Sequence, residues 1–412
     1  MNPLVAKKKF TRGVDWVWYA PNTKDAFDAT EIKAVTACLE TGWLTTGATT
    51  RMFEARIADI FGKKYALFVN SGSSANLLAF ESLRLPKGSE VITAACNFNT
   101  TVAPILQCGL VPVFVDVKAG HYTIDPIDLP KALSKKTRAI IVPHLIGNIA
   151  DMQAIWKFAR AHNLYVIEDS CDTIGALYKG KKTGLFSHIT TTSFYASHLI
   201  TTGGAGGMVM FNDKKLRENA RVFRDWGRGI SLHDESIRSR LATFKIDGKP
   251  YDSAFVFAER GYNMRPTEMQ AAFGLAQLPR LPGFLSSRRM HFNRLRAFFS
   301  KHPEHFILPT EEKGAEVHWL AFPLTIQATS SLDRNALVRY LEDHKIQTRP
   351  LFSGNIVKHP PYKKAGRVIG KLPNANLILK KGFLIGAHHG LTPAMVDYVI
   401  ETFATYLKTR AK

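Results

Sequence analysis

The chain has 412 residues, 45% of them hydrophobic and 22% charged, a balance that excludes a disordered or fibrous protein. Its length exceeds what one compact core holds and suits two domains. The formal net charge of +21 is spread along the chain without an RNA- or DNA-binding motif. Nucleic-acid binding is therefore not expected, and the basic surface serves either the steering of a phosphate-bearing small molecule or solubility alone.

No apolar run reaches the ~18 residues of a membrane span, so no membrane partner is expected. The opening "MNPLVAKKKF" is basic but lacks the apolar stretch of a secretory signal, which points to a cytoplasmic location. Cys38, Cys96, Cys108 and Cys171 are widely spaced, form no C-x-x-C pair, and read as free thiols.

In chain order, strand and helix patterns alternate from about residue 27 to 285. "DAFDATEIKAVTACLETG" has helical spacing and ends at Gly42. "KYALFVN" reads as a strand and "ANLLAFESLRL" as a helix. "SEVITAAC", "TTVAPILQCG" and "VPVFVDV" follow as strand, helix and strand. "TRAIIVPHLIG", "DMQAIWKFARAHN" and "LYVIEDS" repeat that order. The strands are continuous Val/Ile/Leu runs, as expected of a parallel sheet covered on both faces. This predicts a doubly wound α/β domain with a mostly parallel sheet over residues 1–285. Residues 286–412, with "WLAFPLTI" as a strand and "LDRNALVRYLEDHKI" and "TPAMVDYVIETFATYLK" as helices, read as a smaller α+β domain.

Ligands in doubly wound folds sit beyond the carboxyl ends of strands. That is where the polar clusters "NSGSSAN", "CNFNTT", "PHLIGN", "EDSCD" and "SFYASH" fall. Small residues opening a helix at Ser73 and Ser74 suit a phosphate, although Ser/Gly before a helix also serves as a simple cap. Asp169 ends a buried strand and reads either as a cap for the next turn or as an acid facing a cationic ring nitrogen. Phe98 reads as core or as a flat face for a ring. "ERGYNMRPTEMQAA" puts Asn263 and Arg265 in a polar turn before a helix.

Taken together, the chain resembles the fold-type-I, DegT-like nucleotide-sugar aminotransferases that use pyridoxal 5′-phosphate (PLP). The resemblance runs through "GWLTTG", "NSGSSANLL", "PVFVDV", "LIGNIADM", "IEDSCDTIGALYKGKKTGLFS", "SFYASHLITTGG", "GYNMRPTEMQAAFGLAQL" and "TRPLFSGN". It implies a phosphate cradle of Ser73, Ser74 and Ser193, with Asn263 reaching the phosphate of the partner subunit in a homodimer. It implies Asp169 at the pyridine nitrogen, Phe98 on the ring, and Asp172 toward the ring hydroxyl, where the family often has Gln.

His198 falls on the position of the Schiff-base lysine. An imidazole cannot form that link but can act as a general base near neutral pH. The cofactor is then expected to be noncovalent and to work as the amine, pyridoxamine 5′-phosphate (PMP). This substitution resembles the nucleotide-sugar 3-dehydrase subgroup, which removes the C3 hydroxyl of a 4-keto-6-deoxyhexose in deoxysugar and O-antigen biosynthesis. One branch carries a [2Fe–2S] cluster on closely spaced cysteines just after the "FRDWGR" region. Here "FRDWGRGISLHDES" has none and only Cys171 keeps a matching place, so no cluster is expected.

The iron-free branch recharges its cofactor with L-glutamate, and GDP-4-keto-6-deoxymannose is the leading substrate it implies. His198 is expected as the base with Ser197 assisting. Arg224 and Arg265 are expected on the anion of the nucleotide-sugar substrate or of glutamate. Competing readings are a transaminase that uses His198, a CDP-sugar 3-dehydrase, an inactive homologue and a sugar-nucleotide-binding regulator. The residues "TTGGAGG" depart from the acidic residue common before the glycine pair, leaving open how the turn behind His198 is built.

Overall fold

The computed structural model describes residues 10–21, 26–229 and 244–410. Its centre is an eight-stranded sheet. In chain order the first seven strands are β1 (Tyr65–Val69), β2 (Glu90–Ala94), β3 (Val111–Val115), β4 (Thr137–Pro143), β5 (Tyr165–Asp169), β6 (Ile189–Ser193) and β7 (Gly207–Phe211). The spatial order is β1-β7-β6-β5-β4-β2-β3, with Arg367–Val368 as the last edge strand. The pairs from β6 through β3 and on to Arg367–Val368 are parallel, and β7 alone runs antiparallel to both its neighbours.

Strands β2, β6 and β7 are buried along their whole length, because helices cover both faces. Helix α1 (Ala29–Glu40) starts at a capping box on Asp28, and α2 (Ala48–Phe61) ends on Gly62 in the left-handed conformation. Helix α3 (Gly72–Leu83) starts at Ser71, whose Oγ accepts the Ser74 N–H at 3.1 Å. Helices α4 (Glu268–Gln277) and α5 (Leu281–Phe299) are joined by a 3₁₀ turn over Leu278–Arg280. Glu268, at the start of α4, caps α2 from 221 residues away, accepting from Gly47 N at 2.8 Å and Thr49 N at 2.6 Å.

A second, four-stranded sheet lies in the C-terminal part, in the order Phe306–Ile307, Phe322–Ile326, Gly382–Ile385, Arg349–Pro350. The expected division at residue 285 falls inside the continuous helix α5. Arg367–Val368 crosses back to the large sheet, where Arg367 makes bidentate hydrogen bonds to Glu90 at 2.9 and 2.8 Å. No helix among the described residues is long and apolar enough to cross a membrane.

Candidate active site

The carboxyl ends of β1, β5 and β6 meet the N-terminus of α3. A Cβ on Gly72 would lie 2.7 Å from Ser193 Cβ and 3.2 Å from Cys171 Sγ, so only glycine lets these segments touch. The Ser74 hydroxyl donates to Asn70 Oδ1 at 2.7 Å, and Ser193 Oγ accepts from Tyr195 N at 3.3 Å. Ser73 is exposed on the first turn of the helix. Three predicted cradle residues are thus brought together at a helix N-terminus, where backbone N–H groups and the dipole favour an anion.

Asp169, the last residue of β5, is 7% exposed. Its Oδ2 accepts from Asn76 Nδ2 at 2.8 Å and from Thr101 Oγ1 at 2.6 Å, and its Oδ1 accepts from Cys171 N at 3.3 Å. Asn76 is itself oriented by Thr191, whose hydroxyl donates to Asn76 Oδ1 at 2.6 Å. These donors fix the orientation of the carboxyl group. Burial, reinforced by the neighbouring Asp169 charge, pushes the Cys171 thiol well above its ordinary range, so it is no ready nucleophile. Phe98 is 49% exposed at the N-terminal end of the helix Asn99–Gln107, its ring edge-on to Phe352 at 5.9 Å.

His198 sits in the turn after β6, with Ser197 half-buried beside it. Its backbone N–H donates to Tyr195 O at 3.0 Å. Its Nδ1 lies 3.1 Å from Asp172 Oδ1, near enough for an ion pair but off the angle of a hydrogen bond. Catalytic contacts are often misaligned before ligands bind. The other oxygen of Asp172 accepts from Ile146 N at 2.9 Å. Asp172 therefore faces His198, a contact the sequence did not reveal. Nε2 of His198 has no hydrogen-bond partner among the described residues.

Hydroxyls build the turn behind His198 in place of an acid. Thr201 Oγ1 donates to Phe194 O and accepts from Gly204 N, both at 2.9 Å, and Thr202 Oγ1 donates to Ala205 O.

The two arginines lie elsewhere. Together with Arg51, Arg217, Arg221 and Thr46 they line a cavity of about 70 Å³ that none of the residues around His198 borders. Arg224 is buried and bidentate to Asp225 at 2.9 and 3.2 Å, with a further bond to Phe68 O at 3.1 Å. Arg265 lies over the Trp226 ring at 5.6 Å and donates to Thr46 Oγ1, and its Nε is buried without a hydrogen-bond partner. Burial pulls the Arg265 guanidinium below its ordinary value, with Asp225 opposing. Asn263 is exposed and bridges Asp225 through its backbone. Asn76, Thr101 and Ile146 are site residues not singled out from the sequence. All three lie in the quoted clusters "NSGSSAN", "CNFNTT" and "PHLIGN", but an apolar isoleucine in the last gives no hint that its backbone N–H is used. Among the described residues no group of three or more His, Cys, Asp or Glu is placed to hold a metal. Most of the expected cysteine-free stretch after Gly229 lies outside them.

A doubly wound sheet with a donor-held carboxylate ending its fourth strand, a serine turn at a helix N-terminus and a separate C-terminal sheet define a fold-type-I PLP-dependent transferase fold. The chain belongs to the DegT/DnrJ/EryC1/StrS aminotransferase family, whose model matches residues 25–404. It is 39% identical over 378 residues to the dTDP-4-dehydro-2,6-dideoxy-D-glucose 3-dehydratase of Saccharopolyspora spinosa, covering 88% of this chain and 81% of that one. The solved E. coli GDP-4-keto-6-deoxy-D-mannose-3-dehydratase with bound hydrated PLP matches with TM-score 0.84 and 31% identity, covering 94% of this chain and 98% of that one. A GDP-4-keto-6-deoxymannose-3-dehydratase structure with a trapped PLP-glutamate geminal diamine matches with TM-score 0.82 and 30% identity, covering 93% and 99%.

Proposed function

We propose that the protein is a PMP-dependent 3-dehydratase of a nucleotide-linked 4-keto-6-deoxyhexose, recharged by L-glutamate and working as a homodimer. The observation that carries the proposal is His198, at the position the resemblance assigns to a lysine, facing Asp172 and close to the serine turn and the donor-held Asp169. A chain that had lost its chemistry would have no reason to keep Asp169 held by Asn76, Thr101 and Cys171 N.

The residues fit the cofactor. Ser73, Ser74 and Ser193 bind its phosphate beside the α3 N-terminus, Phe98 offers a ring face, and Asp169 pairs with the pyridine nitrogen. When bound, the cofactor supplies an amine that condenses with the sugar ketone and a ring that accepts an electron pair. The Asp169 carboxyl, held by Asn76 and Thr101, would face the ring nitrogen. His198 Nε2 takes up the proton released at C4′, and Asp172 beside Nδ1 stabilises the imidazolium that results. Ser197 assists at the neighbouring position. Arg265, with a donor left over, is the first choice for the anion of sugar nucleotide or glutamate. Arg224 would have to give up Asp225 to serve. Asn263 completes the phosphate site of the second subunit.

The test is a panel of GDP-, dTDP- and CDP-linked 4-keto-6-deoxy sugars incubated with PMP-loaded protein and glutamate. A dehydratase releases ammonia and a product one oxygen poorer. A product that retains nitrogen on the sugar would make the protein a transaminase instead. The GDP sugar is the leading substrate, and the dTDP sugar comes next because the S. spinosa relative is named for one.

A further inference from the structure

We infer that Arg288 is a positioning residue for the base: it holds the Ile146 turn, and through it the Asp172 carboxyl, so that His198 keeps its proton on Nδ1 and presents Nε2. The inference rests on the reading of His198 as the base and adds a residue outside the cofactor site.

Arg288 lies on α5 and is 0% exposed. Its Nη1 donates to Leu320 O at 2.8 Å. Leu320 N in turn donates to Ile146 O at 2.7 Å. Ile146 N donates to Asp172 Oδ2 at 2.9 Å, and Asp172 Oδ1 stands 3.1 Å from His198 Nδ1. Hydrogen bonds thus run without a break from a helix of the C-terminal part to Asp172, whose other oxygen stands beside the base.

The middle link is held under strain. Ile146 is a buried β-branched residue at φ 61° and ψ 12°, a conformation that such residues avoid and that persists only where surroundings impose it. The next residue, Gly147, leaves no room for a Cβ, which would meet Asp172 O and His318 O at 3.0 Å. Leu320 therefore clamps the turn that aims Ile146 N at Asp172, and Arg288 clamps Leu320.

Electrostatics point the same way. The Nε and Nη2 of Arg288 have no hydrogen-bond partner. Its nearest titratable company is His291, His318, His388 and His389, whose pKa values are all lowered by burial and which are therefore neutral. Among the described residues Asp172 is the carboxylate whose charge opposes the burial of this guanidinium. A buried charge with a single counter-charge ties the two together. The Asp172 oxygen facing Nδ1 at 3.1 Å gives an N–H on that nitrogen an acceptor to turn toward.

A purely structural arginine, one that only caps the Leu320 carbonyl, would leave the histidine tautomer alone. The test is ¹⁵N NMR of histidine-labelled, cofactor-free full chain at a pH where imidazole is neutral, with His198 assigned through His198→Asn. Wild type is expected to show a protonated Nδ1 and an unprotonated Nε2. Arg288→Met should move both resonances toward the position of mixed tautomers, Arg288→Lys should retain the wild-type pattern, and Arg289→Met on the exposed neighbouring position should change nothing. A folded Arg288→Met chain with wild-type His198 resonances overturns the inference. Should that variant fail to fold, coupling is read in reverse, since it is reciprocal. Asp172→Asn is expected to shift the Arg288 Nε–H resonance, and an unshifted one overturns the inference. Because cofactor and sugar are absent, either outcome leaves the proposed reaction to its own test.

Discussion

Two clusters of charged side chains lie in this molecule and use their charges in opposite ways. Around Asp169 and His198 the neighbours hold the functional atoms in place and leave one face for a ligand: serine hydroxyls open a helix, and Nε2 of His198 has no partner among the described residues. Around Arg224 and Asp225 the charges are spent on one another, with a bidentate pair, a backbone carbonyl and Glu54 at 3.6 Å. The contrast teaches that a row of arginines lining a cavity is not by itself a binding site, since what counts is which donors remain unpaired. By that measure Arg265 stands between the two clusters, since its Nε has no hydrogen-bond partner among the described residues yet lies 3.8 Å from Asp225 Oδ1.

The largest effect expected is on the base. His198→Asn should lower dehydration by ~10²–10⁴-fold, the usual worth of one general base, while cofactor binding followed by fluorescence stays near wild type. His198→Lys should gain a borohydride-reducible cofactor link that the wild-type chain lacks, read by intact mass. Mixed dimers of His198→Asn and Asn263→Ala chains should regain part of the activity, because one of the two sites then carries neither lesion. Verified heterodimers without activity would remove the shared site.

Next in size is the closed cluster. Asp225→Ala leaves Arg224 buried without its main counter-charge and should cost about 3–5 kcal/mol in urea unfolding. Arg224→Met with Asp225→Leu should cost less than the single change, since no lone charge is left behind. A rise in the KM for glutamate or sugar in that folded double variant would break the contrast and return Arg224 to the site.

Asp169→Asn comes third. It keeps shape but removes the charge that meets a ring nitrogen, and should weaken cofactor binding by about 10–100-fold, the range of one charge-assisted hydrogen bond. Unchanged affinity would mean that Asp169 caps its turn and nothing more.

The parallel core was legible because strands covered on both faces need unbroken apolar runs, as β3 and β4 show. Its edges were not. Arg367–Val368 is a two-residue strand, too short for a pattern, and the antiparallel setting of β7 follows from the turn after β6. The site shows the same division. Asp169 and His198 stand at strand ends, where the fold class directs attention. Asn76 and Thr101 gain meaning only once three strand ends are adjacent. The αL conformation of Ile146 contradicts its β-branched side chain, so local propensity points away from it. Arg224 and Asp225 are sequence neighbours that do not face each other within a helix. They pair because the helix stops at Arg224.

The smallest effect concerns the turn behind His198, where the sequence departs from the family's acidic residue. Thr201 Oγ1 donates to Phe194 O and accepts from Gly204 N, and so closes the loop that carries the imidazole. Thr201→Val keeps the shape and the β-branching but removes both bonds, leaving Phe194 O with only the Thr202 N–H at 3.3 Å and the Gly204 N–H to find another partner. The expected loss is about 1–3 kcal/mol of stability in urea unfolding, the cost of unsatisfied buried groups. The turn reaches Asp169 only indirectly, so cofactor affinity should hold within about twofold while kcat falls, because a base displaced by a fraction of an ångström transfers its proton less well. Equal losses in affinity and kcat would show that the loop and the cradle move as one unit. The cluster around His198 would then be as closed in on itself as the one around Arg224.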